Sequence, residues 1–291
     1  MLRLLTVTAL AMLGFAANSI LNRLALATAE ADALGYTGIR LASGAIALTI
    51  ILALRTGRDR EPTGSRAGAA ALFGYALFFS IGYLMLAAGT GALILFASVQ
   101  AGMLFWSVRS GERLSPAEWV GFALAFACFI LLASPGFAAP DPLGLGLMVI
   151  AGLCWAAYSL LGRGSRDSLA DTTGNFLLCL PFALGLTLIG MLLHPPSLIG
   201  WACAIGSGAV ASGIGYTLWY AALPHFSRTT AAFIQLTVPV AATVGGNLFL
   251  SEPVTLRVIL ASTGVLGGVA MAVHAAELRR RRARSFAPDA P

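Results

Sequence analysis

Apolar stretches follow one another along nearly the whole chain, and the short turns between them hold most of the polar and charged positions. A helix rising 1.5 Å per residue needs about 20 residues to cross ~30 Å of hydrocarbon. Ten stretches are read at that length: about 5–27, 35–54, 67–88, 91–109, 116–134, 143–162, 173–193, 198–221, 228–250 and 254–274. Several contain Gly or a mid-helix Pro, which membrane helices tolerate better than soluble ones. The first stretch is too long for a cleaved leader and lacks a small-residue cleavage site, so it is expected to be a span.

The ten stretches fall into two copies of five. Leu13, Phe15, Ala16, Ala17, Ser19, Leu21 and Arg23 reappear 140 positions later as Leu153, Trp155, Ala156, Ala157, Ser159, Leu161 and Arg163. Glu112 and Glu252 keep the same offset, as do Ser115 and Thr255; Ile81-Gly82-Tyr83 and Ile214-Gly215-Tyr216 are offset by 133 because the loops between have drifted. The long loop 55–66 is trimmed to His194-Pro195-Pro196-Ser197 in the copy. A duplicated unit with an odd number of spans must enter the bilayer from opposite sides. The expected fold is all-α and integral to the membrane: ten transmembrane helices as two inverted five-helix repeats around a central cavity. The first repeat covers 1–135, the second 141–275, and 276–291 forms a basic cytoplasmic tail.

Composition agrees, with 58% hydrophobic and 10% charged residues in 291 positions, where soluble domains carry about 25% charged. All 18 basic residues are Arg. With the N-terminus inside, fifteen of them fall on the cytoplasmic side and only Arg23, Arg40 and Arg257 on the other, a strong positive-inside bias. Both termini are therefore expected in the cytoplasm of a multi-pass inner-membrane protein. The Arg run of the tail reads as an anchor for the last helix beside lipid headgroups, and no nucleic-acid partner is expected. Cys128, Cys154, Cys179 and Cys203 all fall inside expected spans, without metal-ligand spacing. The fifth span opens on a capping box, Ser115-Pro116 with Glu118.

Two features together resemble the EamA-type branch of the drug/metabolite transporter superfamily. One is the pair of five-span repeats. The other is the closing passage of each repeat: Gln100 through Gly111-Glu112-Arg113-Leu114-Ser115-Pro116 to Gly121, and Val238-Pro239 through Ser251-Glu252-Pro253 to Gly268. The copies depart from the family pattern at Val99, Cys128 and Ala261. The resemblance implies export or exchange of small polar or amphipathic metabolites, without ATP hydrolysis; bacterial relatives include amino-acid exporters.

The residues point the same way. A chain without Lys has no phosphate-binding loop of the G-x-x-x-x-G-K type, and no metal or cofactor is expected. Charges inside a membrane are usually functional, yet none is read at mid-span: Arg23 and Arg40 are placed near the ends of spans one and two, close to the same outer face. No acid sits at mid-depth, so facilitated diffusion or exchange stands beside proton coupling. Substrate contacts are expected from Tyr75, Phe79 and Tyr83, which share a face of span three, and from Tyr216, Trp219 and Tyr220 of span eight. Asn18, Phe96, Gln100, Trp155, Tyr158 and Gln235 complete the set. Buried amides also serve as glue between helices, so that reading stays open for Asn18, Gln100 and Gln235. Gly82, Gly215 and Pro239 are candidate hinges, with Arg23 and Arg163 as candidate gates. An aromatic, weakly charged lining suits amino acids with apolar bodies. A multidrug or other metabolite exporter, a membrane-embedded enzyme and a structural subunit are the alternatives.

Overall fold

The computed structural model describes residues 2–56, 61–111, 114–133, 139–162, 165–222, 225–226, 234–235 and 237–285. Among them the secondary structure is helical throughout. In chain order the helices are α1 (Leu2–Ala27), α2 (Ala33–Thr56), α3 (Arg66–Gly82), α4 (Ala88–Arg109), α5 (Pro116–Ala133), α6 (Pro142–Leu161) and α7 (Ser168–Leu193). The next, α8, runs in three consecutive pieces: Leu198–Ile205, a π-helical stretch Gly206–Ile214, and Gly215–Ala222. The last two are α9 (Thr237–Leu250) and α10 (Leu256–Ser285). Seven of these are long and apolar enough to cross a membrane; α3, α5 and α9 are shorter but also apolar. This is a multi-pass membrane protein.

The helix ends explain where the expected spans needed adjusting. The third was expected to run to 88, but α3 stops at Gly82, where Leu86 N–H turns back to the Gly82 carbonyl at 3.1 Å. The carbonyls freed by that turn, on Tyr83 and Leu84, accept from Arg23 Nη1 at 3.0 and 3.2 Å. At the other extreme α10 runs eleven residues past the expected 274, into the tail. Arg279 is the reason, gripping both carboxylate oxygens of Glu118 at 3.0 and 3.1 Å. Glu118 also accepts from Ser115 N–H at 2.7 Å while the Ser115 hydroxyl accepts from Glu118 N–H at 3.3 Å, the capping box read from sequence.

Packing repeats with a period of five helices. α2 lies along α7 and α5 along α10; α3 and α4 flank α6 as α8 and α9 flank α1; α4 meets α9. Exchanging each helix for the one five places on returns these same pairings. Equivalent helices run antiparallel where they touch. Along α2/α7, Gly35 meets Gly190, and a Cβ on Gly38 would stand 2.3 Å from the Ala183 carbonyl oxygen. Along α5/α10, Glu118 pairs with Arg279 at one end, and Arg257 donates to the Leu131 carbonyl at 2.8 Å at the other. Even a loop contact recurs: Ser197 N–H donates to the Glu30 carbonyl at 2.8 Å, and Thr63 N–H to the carbonyl of Ala170, the residue 140 positions after Glu30, at 3.1 Å. Gly64 beside that second contact has φ +131° and Asn175 at its back, a backbone only glycine takes without strain.

Candidate functional site

The interior is organised around rings. Tyr83, Phe79 and Tyr75 follow one another down α3 with centroids 4.7 and 5.2 Å apart. Tyr75 then meets Trp155 of α6 at 4.7 Å, Trp155 meets Tyr216 of α8 at 5.4 Å, and Tyr216 meets Phe15 of α1 at 5.6 Å edge-on. Edge and tilted contacts of this kind are favoured by the ring quadrupoles. The α3 spacing delivers them because residues four apart share a helix face. Phe15 was not among the expected contacts, though its position 140 before Trp155 already marked it.

These rings wall a small enclosed cavity of about 20 Å³, lined by Phe15, Asn18, Ser19, Tyr75, Phe79, Leu95, Phe96, Trp155, Tyr216 and Gln235. Seven of the twelve expected contact residues therefore stand around one space, drawn from α1, α3, α4, α6, α8 and the turn before α9. The remaining five are placed otherwise. Tyr83 is fully buried above Phe79, its hydroxyl 3.3 Å from the Ala88 carbonyl. Tyr158 packs on Trp155 at 5.5 Å and reaches Thr172 Oγ1 at 3.3 Å. Trp219 lies behind Phe15 at 6.2 Å. Gln100 is half-buried one turn beyond Phe96 and does not line the cavity. The Tyr220 side chain lies outside the described residues.

Asn18 is spoken for. Its carbonyl oxygen accepts from Ser207 Oγ at 2.6 Å and its amide donates to Ser212 Oγ at 3.2 Å. On an α-helix residues five apart diverge by roughly 140°, whereas the i→i+5 turn of a π-helix brings them to one side. The π-helical stretch of α8 thus aims both hydroxyls at one amide. One turn on, Asn22 donates to the Asn18 carbonyl at 2.9 Å and accepts from Ser80 of α3 at 3.0 Å. This polar seam fixes α1 between α8 and α3, beside the rings.

A larger hollow of about 910 Å³ lies between α1, α9 and α10, but it opens outward and is walled by Leu, Val, Ala, Ile, Gly and Phe with a single hydroxyl, on Thr237. Nothing there can orient a polar solute. The small enclosed cavity is the better site.

One end of the bundle is latched above the rings. Arg23 Nε bonds Glu252 Oε1 at 2.8 Å, and Glu252 Oε2 accepts from the first amide of α4, Ala88 N–H, at 2.7 Å. With the two α3-end carbonyls already noted, this ties α1, α3, α4 and α9 across the mouth. Of the other gate and hinge candidates, Gly82 ends α3 against Met148 and Gly144 of α6, Gly215 starts the last piece of α8, and Pro239 is buried in α9. Arg163 lies outside the described residues.

Arg40 corrects the sequence reading. Expected at the outer edge of span two, it is the eighth residue of α2, about 10 Å along the helix at 1.5 Å per residue, and is 2% exposed. Its Nη2 donates to Tyr75 Oη at 3.2 Å, and the guanidinium lies 5.0 and 5.3 Å from the Phe79 and Tyr75 ring centroids. The expectation missed it because two extra residues begin α2 at Ala33 and because α7 and α8 pack along α2. The interior therefore holds a cation.

A bundle of apolar, membrane-spanning helices around a small aromatic and amide-bearing cavity has the build of a small-molecule transporter. The pattern of the EamA-like transporter family matches residues 142–274. An uncharacterised Pseudomonas aeruginosa protein is 46% identical over 271 residues, 92% of this chain and 94% of that one. A Streptantibioticus cattleyicolor protein named "Probable terminal-alkyne amino-acid exporter" is 26% identical over 270 residues, covering 87% and 89% of the two chains. A solved crystal structure superposes with a TM-score of 0.63 at 22% identity, over 96% of this chain and 99% of that one, so the fold is shared. The chain belongs to the EamA-like transporter family, a family of transporters rather than enzymes.

Proposed function

We propose that this protein is a secondary exporter of amino acids, aromatic and other largely neutral ones, across the inner membrane. Transport proceeds by alternating access between two inverted five-helix repeats, 1–135 and 141–275, with both termini and the basic tail 276–291 in the cytoplasm. The observation that carries the reading is the ring-walled cavity at the meeting of the two halves, closed beneath the Arg23–Glu252 latch. Antiparallel packing of α2 on α7 and of α5 on α10 supports the inverted arrangement. The positive-inside bias supports an outward-facing Arg23 end, and on this reading the latch is an outer gate. A relative named as an amino-acid exporter supports the substrate class.

Rings offer stacking surface to an apolar body, while Gln235 and the phenols offer hydrogen bonds to a polar end. Among the described acids, Glu252 and Glu118 are in ion pairs, and Glu30, Asp32, Asp141, Asp167 and Asp171 are hydrogen-bonded at helix ends; this favours facilitated diffusion or exchange over proton coupling. Counterflow of labelled L-phenylalanine, L-leucine and L-threonine into proteoliposomes is the test. Saturable exchange independent of an imposed pH gradient is expected. Absence of exchange for all three, or conversion without movement, overturns the reading, and exchange of cationic drugs in their place would assign the protein to multidrug export.

A further inference from the structure

Among the described residues Arg40 has no counter-charge. Its Nη1 is buried with no hydrogen-bond acceptor, and Nη2 has only the neutral Tyr75 hydroxyl. The two described ion pairs involve other arginines, and among the described residues no carboxylate stands within ion-pair distance of it. The Tyr36 hydroxyl, also close, is directed at the Cys203 carbonyl 3.4 Å away. Two aromatic faces and one neutral hydrogen bond return only part of the hydration a buried guanidinium loses. A cation held in a membrane interior without an acid is a place where an anion from elsewhere completes the charge.

Its position suits a ligand. Tyr75 and Phe79, the rings against the guanidinium, are themselves walls of the cavity. The Arg40 backbone is pinned from behind, since a Cβ on Gly208 of α8 would lie 2.1 Å from the Arg40 carbonyl oxygen. Arg40 lies behind the Tyr75 and Phe79 walls, so when those side chains move aside Nη1 and Nη2 present the planar fork that binds a carboxylate through two parallel bonds.

We propose that Arg40 is the carboxylate receptor of the cavity, so that the transported class is the monocarboxylate with an apolar or aromatic body, α-amino acids among them. The assignment rests on the exporter reading above and narrows it. The carboxylate takes Nη1 and draws Nη2 from the Tyr75 hydroxyl, while the body of the substrate lies against Trp155 and Tyr216. Amides, esters and decarboxylated amines of the same body lack the group that neutralises Arg40 and are rejected.

The test uses the full-length protein in proteoliposomes, with phenylalanine, leucine and threonine each beside its amide and its decarboxylated amine. Each acid is expected to exchange at least about 10-fold faster than its amide or amine, the range set by loss of a charge-assisted hydrogen bond. Arg40→Lys should raise KM for the acids about 10-fold and Arg40→Gln about 100-fold. Equal exchange of an acid and its amine by the unaltered protein overturns the Arg40 assignment and leaves the exporter reading standing. So does Arg40→Gln moving phenylalanine at the original KM. If the unaltered protein moves none of the acids, the exporter reading falls and the assignment with it. The comparison of acid with amide needs no variant, so a misfolded Arg40→Gln protein does not blunt the test.

Discussion

Arg40 of α2 and Leu180 of α7 stand 140 positions apart, at the same place in the two halves. One is a buried cation against two rings; the other is a plain aliphatic residue. The neighbouring helices differ in the same sense. Tyr75 and Phe79 of α3 correspond, at the offset of 133, to Gly208 and Ser212 of α8, while Tyr83 corresponds to Tyr216. In the first half these positions make an aromatic wall around the guanidinium. In the second they make a close backbone contact with Arg40 and a hydrogen bond to Asn18. The frame is kept by small residues where equivalent helices cross, and the chemistry has diverged around the cavity between them. On the proposed reading, the two halves would supply two access routes to one polarised site.

The comparison breaks most severely at the crossings. Gly38 faces the α7 backbone, whereas its counterpart Leu178 is 44% exposed on the outside of the bundle. Gly38→Leu should cost about 3 kcal/mol or more through overpacking, seen as a large fall in the thermal unfolding midpoint in detergent. Leu178→Gly should cost about 1 kcal/mol, the helix penalty of glycine. Equal losses at the two positions would mean that α2 and α7 do not cross there.

Trp155 and Phe15 sharpen the same comparison at the site. Trp155 touches Tyr75, Tyr158 and Tyr216, and Phe15 touches Tyr216 and Trp219. A substrate ring that stacks on Trp155 loses about 0.5–1.5 kcal/mol when the wall is removed, so Trp155→Ala should raise the transport KM for phenylalanine by up to roughly 10-fold. Phe15→Ala should raise it less, because Phe15 meets Tyr216 at the edge of the same wall. Unchanged kinetics in both would remove the aromatic wall from the binding path.

Much of the frame could be read from the sequence, because apolar runs of spanning length and a repeated text are local and periodic signals. The aromatic face of α3 was legible for the same reason. Three things were not. The depth of Arg40 depends on where α2 begins and on the cover α7 gives it, which no single window contains. The π-helical turn of α8 leaves an apolar, Gly- and Ser-rich text that also fits an ordinary helix, so the engagement of Asn18 by Ser207 and Ser212 was hidden. The pairing of Arg23 with Glu252 joins residues 229 apart, and only the packing of α1 on α9 brings them together.

Smaller effects are expected at the two ends. Arg23→Gln, Glu252→Gln and the double variant form a cycle whose coupling should be about 1 kcal/mol in thermal stability, because the pair is partly shielded yet not dry. No coupling would leave the latch without weight. Arg279→Gln at the opposite end should cost about 0.5 kcal/mol or less, since Arg279 is a third exposed and its pairing is screened. A loss as large as that at Gly38 would place the tail helix in the core of the fold.

The most direct measurement follows a thiol placed in the cavity wall. Ser19→Cys, in a protein with Cys128, Cys154, Cys179 and Cys203 replaced, is exposed to a membrane-impermeant maleimide from each side of sealed vesicles. Two oppositely oriented halves sharing one compartment predict reaction from both sides, slowed in both cases by phenylalanine. Reaction from one side only, whatever substrate is present, would contradict the account.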